Sequence, residues 1–502
     1  MRLCLFCLAV ALRWAFALSL PAEAALANVD ARGYHQLALN LMQGHGFSLR
    51  AEWPYVPDSV RVPTYPLFIA GLYALFGPEP RCAILVQGLL DGATTLLLFA
   101  AVRCLADERA GLIAALVYAF CPVQIRFCSE LLTEVPLAFL LTALLWLFTQ
   151  ALQSGPGKCH VFGAVHMNLC SLPRTKISPR RHGEHREASF FLRVLCVSVV
   201  IFGAGLLSGL AMLTKPNVQL LPLILIGALA LHWRRKWRAC AQAAALVLAG
   251  TALAVSPWAL RNRLAFDHWM LSSAYQVNLA RVSGVATLAS ARGDDVAPWT
   301  PRWEEIYLDI AQRAAERYGW DARGPYELPA GEELERQREV ATVAREIILR
   351  HPGHFLRSHL SGVLRSLLPQ EHRLWYELLT GRDWQALPAA KGAVMQALRL
   401  VLHWRPPEAV KLVWRERVVK MPPLALMLGL AGTLVACGST LLALRGAYRL
   451  RTQPAVLLTL ASMWAYLAFL PGPIAYIRFR VPVMPIAIAL VALGVGRRNG
   501  HL

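Results

Sequence analysis

The stretch RFCSELLTEVPLAFLLTALLWLFTQAL, residues 126–152, joins two acidic side chains to an apolar run that is long enough to cross a bilayer. The predicted span covers residues 134–152, and Pro136 suits its first helical turn. Glu130 and Glu134 are four residues apart, which predicts that they share one face of a helix. A carboxylate at this depth is costly unless it is paired or used. The alternative is that both acids only stabilise the helix N-terminus.

Comparable apolar runs recur along the chain and decide its fold class. Of the 502 residues, 56% are apolar and only 16% are charged, whereas about a quarter are charged in soluble domains. This composition excludes an ordinary soluble enzyme and predicts an all-α polytopic membrane protein of about ten transmembrane helices. The predicted spans are residues 2–20, 82–102, 110–126, 134–152, 191–213, 217–233, 239–258, 421–444, 454–471 and 481–496.

The first of these spans has two interpretations. The residues Ala22-Glu23-Ala24 after it resemble a signal-peptidase site, which would make it a cleaved signal peptide. We expect the helix to be retained, because Arg13 interrupts the apolar run. Both interpretations place residue 28 outside the cytoplasm.

The charge distribution predicts the orientation in the membrane. Lys and Arg total 51 against 31 Asp and Glu, which gives a net charge of +20. On a soluble protein this excess would suggest nucleic acid, but here it follows the positive-inside bias of short loops, and we expect no nucleic-acid partner. Four predicted loops on one side are rich in Lys and Arg and contain no acids other than Glu184 and Glu187, so this side should be cytoplasmic. The four loops are residues 153–190, 234–238, 445–453 and 497–502.

The spans divide the chain into three parts. We expect residues 1–258 to form an N-terminal transmembrane catalytic half, 259–420 an extracytoplasmic amphipathic segment, and 421–502 the C-terminal transmembrane helices. The first part contains an outer loop at 23–81 and a cytoplasmic insertion at 153–190.

Two stretches of the middle part have helical spacing but too many charges to span. They are residues 351–368 and 389–404, which we expect to lie along the membrane interface or on the protein.

Candidate functional residues of the first outer loop surround two short helical patterns. Asp30 precedes a predicted helix at 31–42 that contains Tyr34, and the alternative role of Asp30 is to cap that helix. Arg61 and Tyr65 precede a short apolar stretch that is typical of an interfacial helix at 67–77. Their alternative role is that of a snorkelling arginine and an interfacial tyrosine.

Four further cations lie at outer ends of predicted spans: Lys215, Arg261, Arg478 and Arg480. Each could be an ordinary flanking residue, but the positive-inside bias does not require cations on this side, which favours an anionic partner. Carboxylates and guanidinium groups at one membrane surface suit one chemistry in particular. A carboxylate deprotonates an acceptor hydroxyl while arginines bind the phosphate that leaves a lipid-linked donor.

These residues occur in an ordered set of motifs that resembles a known family. The motifs are Asp30 to Tyr34, Gly44-His45-Gly46-Phe47, Arg61-Val62-Pro63-Thr64-Tyr65-Pro66, Leu132-Thr133-Glu134, Leu213-Thr214-Lys215-Pro216, Pro257-Trp258 with Arg261-Asn262, His351-Pro352, and Tyr476-Ile477-Arg478-Phe479-Arg480-Val481-Pro482. The chain resembles the bacterial family 39-type glycosyltransferases. These belong to the GT-C group, which includes aminoarabinose transferases and protein mannosyltransferase relatives.

The resemblance implies a GT-C-like bundle in the bacterial inner membrane, with the active site facing the exterior. Such enzymes move a sugar from a polyprenyl-phosphate carrier to a lipid, glycan or protein acceptor, usually with inversion. Asp30 would then be the catalytic base or a metal ligand, and Glu134 the second catalytic acid. The other candidates are implied to bind donor phosphate or substrate; they are Tyr34, Arg61, Tyr65, Lys215, Arg261, Arg478 and Arg480.

The resemblance also implies that Asp30 and Glu134 could hold a divalent cofactor, Mg²⁺, Mn²⁺ or Zn²⁺. Two other functions stay open at this point. A flippase or transporter of lipid-linked sugars would need ionisable groups along a path through the bundle. An inactive membrane scaffold would need none.

Overall fold

A computed structural model describes residues 1–153, 197–294, 296–321, 330–367, 371–381 and 405–496, together with 387, 397 and 400. Within these residues the chain is helical and contains no β-strand, which confirms the predicted all-α class. In chain order the helices are α1 (Arg2–Ser19), α2 (Val29–Met42), α3 (Thr64–Phe76), α4 (Pro80–Leu105), α5 (Glu108–Ala119), α6 (Pro122–Phe127), α7 (Glu134–Gln153), α8 (Val197–Met212), α9 (Leu221–His232), α10 (Trp237–Phe266), α11 (Ala274–Asn278), α12 (Val285–Arg292), α13 (Pro301–Tyr318), α14 (Ala330–Arg350), α15 (Pro352–Leu367), α16 (Glu371–Thr380), α17 (Pro406–Val413), α18 (Pro423–Arg449), α19 (Pro454–Phe469) and α20 (Met484–Val495).

Within the described part of the chain, five helices are long and apolar enough to cross a membrane: α1, α4, α7, α10 and α18. Four more predicted spans coincide with shorter apolar helices, at α8, at α19, at α20 and at Pro216–His232, which includes α9. The interfacial helix predicted at 67–77 is also present, but it begins earlier, as α3.

The span predicted at 110–126 is wrong as one continuous helix. The structure divides it into α5 and α6, with Cys121 in an extended conformation between them. The physical reason is Pro122, which has no backbone N–H to donate and disfavours helical geometry in the residue before it.

A single apolar cluster forms the centre of the bundle, with buried side chains from α4, α5, α7, α8, α9, α10, α19 and α20. Two helix pairs come into backbone contact through small residues. Gly205 and Gly250 join α8 to α10, and Gly446 and Gly494 join α18 to α20. At each of these positions a Cβ atom would overlap backbone atoms of the facing helix, so the close packing depends on glycine.

The outer loops are hydrogen-bonded to the ends of the spanning helices. Arg81 donates to the carbonyl of Leu20 at 3.1 Å, and the N–H of Thr64 donates to Leu213 at 3.0 Å. At the opposite end of the bundle, Arg449 donates to the carbonyl of Leu493 at 2.8 Å. Asp30, Glu134, Lys215 and Arg478 meet at the end of the bundle where Arg81 and Thr64 make their contacts.

The middle segment has its own apolar cluster, built mainly from α12, α13 and α14. The amphipathic helix predicted at 351–368 is present as α15. Three leucines spaced four residues apart, Leu356, Leu360 and Leu364, are exposed on it, while Arg365 donates to the carbonyl of Pro473 at 2.7 Å.

Several sequence predictions concern residues that the structure does not describe. Apart from Gln153, the insertion predicted at 153–190 lies outside the described residues. The same is true of the loop at 497–502 and of the helix at 389–404, except for residues 397 and 400.

A buried ion pair joins the first helix to the bundle. Arg13 of α1 and Asp91 of α4 are 1% and 0% exposed, and Arg13 Nε donates to Asp91 Oδ2 at 2.7 Å. The remaining guanidinium nitrogens donate to the carbonyls of Ala9, Tyr118 and Ala119, and the Tyr118 hydroxyl donates to Asp91. Because all the charged groups are paired, burial of this network is tolerated in an apolar environment.

Asp91→Leu should therefore destabilise the protein strongly, because it leaves the Arg13 charge buried and unpaired. The expected loss is about 3–5 kcal/mol in the free energy of unfolding. The double variant Arg13→Met/Asp91→Leu should recover most of it. Thermal unfolding of the detergent-purified protein measures both effects, with the exposed Arg109→Met as the control. Asp91→Leu melting at the temperature of the control would contradict the prediction.

Candidate active site

Asp30 lies in the first turn of α2, but it does not cap that helix. The cap is Asn28, whose side-chain oxygen accepts the N–H of Asp30 at 2.9 Å. The alternative role of Asp30 as the helix cap is therefore wrong, and the helix predicted at 31–42 begins at Val29. The Asp30 side chain is 46% exposed, and its carboxylate is not used to cap the helix.

Glu134 is the first residue of α7 and is fully buried. Its Oε1 atom accepts from Lys215 Nζ at 2.8 Å and from Arg478 Nε at 2.6 Å, while Oε2 accepts from the Thr133 hydroxyl at 3.3 Å. The charge of this carboxylate is thus matched by two cations from distant parts of the chain.

The shared helical face predicted for Glu130 and Glu134 is wrong, because Glu130 lies in the turn before α7. Its carboxylate pairs with Arg126 at 2.7 Å. The physical reason is that the backbone carbonyls of Cys128 and Glu130 accept from the side chain of Gln87, so the helix begins only after them.

Arg478 bridges the two acids. Its Nε atom donates to Glu134, its Nη2 atom donates to Asp30 Oδ2 at 2.9 Å, and its Nη1 atom lies 3.4 Å from the Tyr476 hydroxyl. Burial by itself lowers the pKa of Arg478, but the carboxylates of Glu134 and Asp30 outweigh it and hold the pKa well above the ordinary arginine value. The guanidinium therefore stays charged.

Arg61 lies beside this network, and the carboxylate of Asp58 is close enough to interact with it electrostatically. Its guanidinium carbon is 5.6 Å from the centroid of the Tyr34 ring, and its nitrogens rest against Gly33, where a Cβ atom would lie 2.5 Å from Nη2. Among the described residues, no hydrogen bond or ion pair involves its side chain; only its backbone N–H is bound, by Asp58 at 2.7 Å. Arg61 is thus a cation with free donors next to Asp30.

The other predicted residues lie around this centre in different roles. Tyr65 is 1% exposed and lies behind Tyr34, with the ring centroids 5.0 Å apart. Arg261 donates to the carbonyl of Asp58 at 3.1 Å and is surrounded by aromatic rings, whereas Arg480 pairs with Glu371 at 2.7 Å. The structure therefore brings together six of the predicted residues: Asp30, Tyr34, Arg61, Glu134, Lys215 and Arg478. It leaves Tyr65, Arg261 and Arg480 outside this group.

Sequence reasoning assigned no role to two side chains at this site, Gln87 and Tyr476, although Tyr476 belongs to one of the motifs. Gln87 is fully buried and contacts the segment before Glu134. A signal for it was available, because a glutamine within an apolar run is costly unless its amide is bound.

The charges define what the centre can do. Asp30 and Glu134 balance Lys215 and Arg478, and Arg61 adds a guanidinium whose side-chain donors have no partner among the described residues, which favours an anion beside an exposed carboxylate. A metal shared by both acids does not fit this arrangement, because the Arg478 guanidinium lies between them. In the described ranges, no three His, Cys, Asp or Glu side chains are grouped so that they could hold a metal ion.

A family model described as dolichyl-phosphate-mannose-protein mannosyltransferase matches residues 58–169. This part of the chain is similar to the protein mannosyltransferases. The match confirms the resemblance predicted from the sequence over a stretch that contains Arg61, Tyr65 and Glu134. A search of curated proteins finds no significant match.

Solved structures with some similarity include proteins from an archaeon and from a bacterium. One is the oligosaccharyltransferase AglB from Archaeoglobus fulgidus in complex with an inhibitory peptide and a dolichol-phosphate, at 14% identity over 98% of this chain and 50% of that one, with a TM-score of 0.48. An Archaeoglobus fulgidus oligosaccharyltransferase in complex with Zn and sulfate gives a TM-score of 0.40 at 14% identity, over 98% of this chain and 48% of that one. The other is ArnT from Cupriavidus metallidurans bound to undecaprenyl phosphate, at 15% identity over 97% of this chain and 77% of that one, with a TM-score of 0.34. The chain spans about half the length of the archaeal enzyme.

Glu134→Gln should destabilise the protein, because it leaves Lys215 and Arg478 with one carboxylate between them. We expect a loss of about 3–5 kcal/mol, as for other buried pairs that lose one partner. The matched control is Glu130→Gln, whose partner Arg126 is 36% exposed and can turn to water, so its loss should stay near 1 kcal/mol or below. Thermal unfolding in detergent measures both, and equal losses in the two variants would refute the assignment.

Proposed function

We propose that this chain is a membrane glycosyltransferase of GT-C type that moves a hexose or pentose from a polyprenyl-phosphate carrier to an acceptor. The observation that carries the proposal is an exposed carboxylate, Asp30, held beside a charge-balanced network and a cation with free donors. The similarity of residues 58–169 to protein mannosyltransferases supports the class of reaction. We place the protein in the bacterial inner membrane, with this end of the bundle facing the exterior, because the opposite side has the basic loops.

The unequal surroundings of the two acids suggest different roles. Glu134 is fully buried and already accepts from two cations, so it positions Lys215 and Arg478. Asp30 is half-exposed and accepts from one, so it is the group that can meet an acceptor. General bases need this access to the proton that they remove.

The reaction would be a single displacement with inversion. Asp30 accepts the proton of the acceptor hydroxyl or amine as its oxygen or nitrogen forms a bond to the anomeric carbon. The bond between that carbon and the phosphate oxygen breaks, and the polyprenyl phosphate leaves with the electron pair. Arg61 and Arg478 stabilise the charge on the leaving phosphate, because guanidinium groups match its geometry.

The arrangement favours a transferase over a transporter of lipid-linked sugars. A transport path needs ionisable groups that are free to bind cargo within the bundle. Arg13 and Asp91 do lie there, but their polar atoms are engaged by each other, by Tyr118 and by backbone carbonyls. The ionisable groups with free capacity meet at one end instead.

Asp30→Asn should abolish transfer while the protein still inserts in the membrane. General-base catalysis contributes about 10²–10⁴-fold, so the rate should fall by about that factor. The measurement is release of polyprenyl phosphate from a labelled polyprenyl-phosphate sugar, together with the envelope glycan profile of cells that lack the wild-type protein. The control is Glu52→Gln, an exposed acid of the same loop.

Full activity of Asp30→Asn would rule out Asp30 as the base. Unchanged glycans in cells without the protein would favour the scaffold, and movement of labelled carrier without sugar transfer would favour the transporter.

Gly33→Ala should weaken donor binding, because the added Cβ displaces the Arg61 guanidinium from its place beside Tyr34. Loss of a charge-assisted hydrogen bond costs about 1.5–3 kcal/mol, so the KM for the donor should rise about tenfold or more. The matched control is Gly71→Ala in α3, where an added Cβ meets nothing within 4 Å. Alanine favours the helix at both positions, so melting temperatures should not fall. Equal KM values in the two variants would exclude Arg61 from donor binding.

A further inference from the structure

Gln87 of α4 is hydrogen-bonded to two different segments that border the candidate active site. The residue is 0% exposed, and its side-chain nitrogen donates to the carbonyls of Glu130 at 3.0 Å and Cys128 at 3.3 Å. Its side-chain oxygen accepts from the hydroxyl of Tyr65. Both donor hydrogens and the acceptor of this one amide are therefore in use.

Each of these partners leads to a group of the proposed reaction. The carbonyls of Cys128 and Glu130 belong to the segment that ends at Glu134, where α7 begins. Tyr65 packs edge-on against Tyr34, which is one helical turn after Asp30 on α2 and lies under the Arg61 guanidinium. Gln87 thus lies between the segment that leads to Glu134 and the helices that position Asp30.

We propose that Gln87 is a positioning residue for sugar transfer, because it sets the distance between α2 with Asp30 and the start of α7 with Glu134. This inference rests on the proposed function. Gln87 touches neither substrate nor the reacting atoms; it acts through Tyr65 and through the backbone before Glu134. A small change in that distance alters how Arg478 is shared by the two carboxylates, and misplacements of about 1 Å can reduce rates by about 10²-fold.

The chemistry of the position requires an amide. Glutamate in its ionised form would place a carboxylate against two carbonyl oxygens, and an aliphatic side chain would leave those carbonyls and the Tyr65 hydroxyl buried without partners. Methionine has a similar length and keeps the packing, so Gln87→Met removes the hydrogen bonds with the least change of shape.

The test compares Gln87→Met with Tyr65→Phe. The second substitution keeps the ring against Tyr34 and removes only the hydroxyl that donates to the Gln87 side-chain oxygen. The matched control is Thr95→Val, a substitution on the same helix. Thr95 is equally buried, and its hydroxyl bonds only to the carbonyl of Asp91 within α4. The kcat and the donor KM of the full-length protein are measured with a polyprenyl-phosphate sugar, alongside the melting temperature.

The proposal expects kcat to fall about 10- to 100-fold in Gln87→Met, with the donor KM changed less than threefold. Tyr65→Phe should lower kcat in the same way. The kcat of the double variant should be no lower than that of Gln87→Met, because both substitutions break the same connection. Thr95→Val should keep the wild-type kcat even if its melting temperature falls.

Wild-type kcat in Tyr65→Phe would overturn the proposal, and so would a fall in kcat that simply follows melting temperature in all three variants. If Gln87→Met does not fold, Tyr65→Phe alone decides by the same criteria. An inactive wild-type protein would instead be a failure of the proposed transferase function, which keeps the two outcomes distinguishable.

Discussion

The structure of the site depends on one guanidinium group that satisfies two carboxylates. Arg478 contacts Glu134 across 344 positions of sequence and Asp30 across 448. Removing the Glu134 carboxylate from water is unfavourable unless cations accompany it. Because Arg478 serves both, the first outer loop, the start of α7 and the short turn before α20 must meet at one place. The helices of the bundle are arranged so that their ends allow this meeting.

The two acids of the site differ in how deeply they are buried. Glu134 is enclosed and saturated by cations, so it acts as a fixed anchor, whereas Asp30 keeps an exposed edge. Tyr34 and Arg61 lie on that exposed side, where an anion could add a partner that the network lacks. One acid therefore organises the charges, and the other keeps a partly exposed carboxylate.

Helix α4 is bonded to the neighbouring helices through two buried polar side chains that are one helical turn apart. Asp91 joins α1 and α5 through Arg13 and Tyr118, and Gln87 joins α3 to the segment before α7. Buried polar groups of this kind are tolerated only when their partners are in place. They therefore specify how the helices pack, which apolar contacts alone specify less sharply.

Local patterns of the sequence determined the helical class and the amphipathic character of α15, because apolar run length and spacing are properties of neighbouring residues. The sequence also indicated that these charges lie at the ends of the predicted spans. It did not show the break at Pro122, nor that Glu130 lies outside α7, because backbone geometry and the Gln87 contact override the apolar pattern there. Only the tertiary structure decided that Arg478 pairs with Asp30 and Glu134, whereas Arg480 pairs with Glu371. The physical reason is that spacing along the chain sets which residues share a helix face, whereas the partner of a charge depends on which distant segments pack against it.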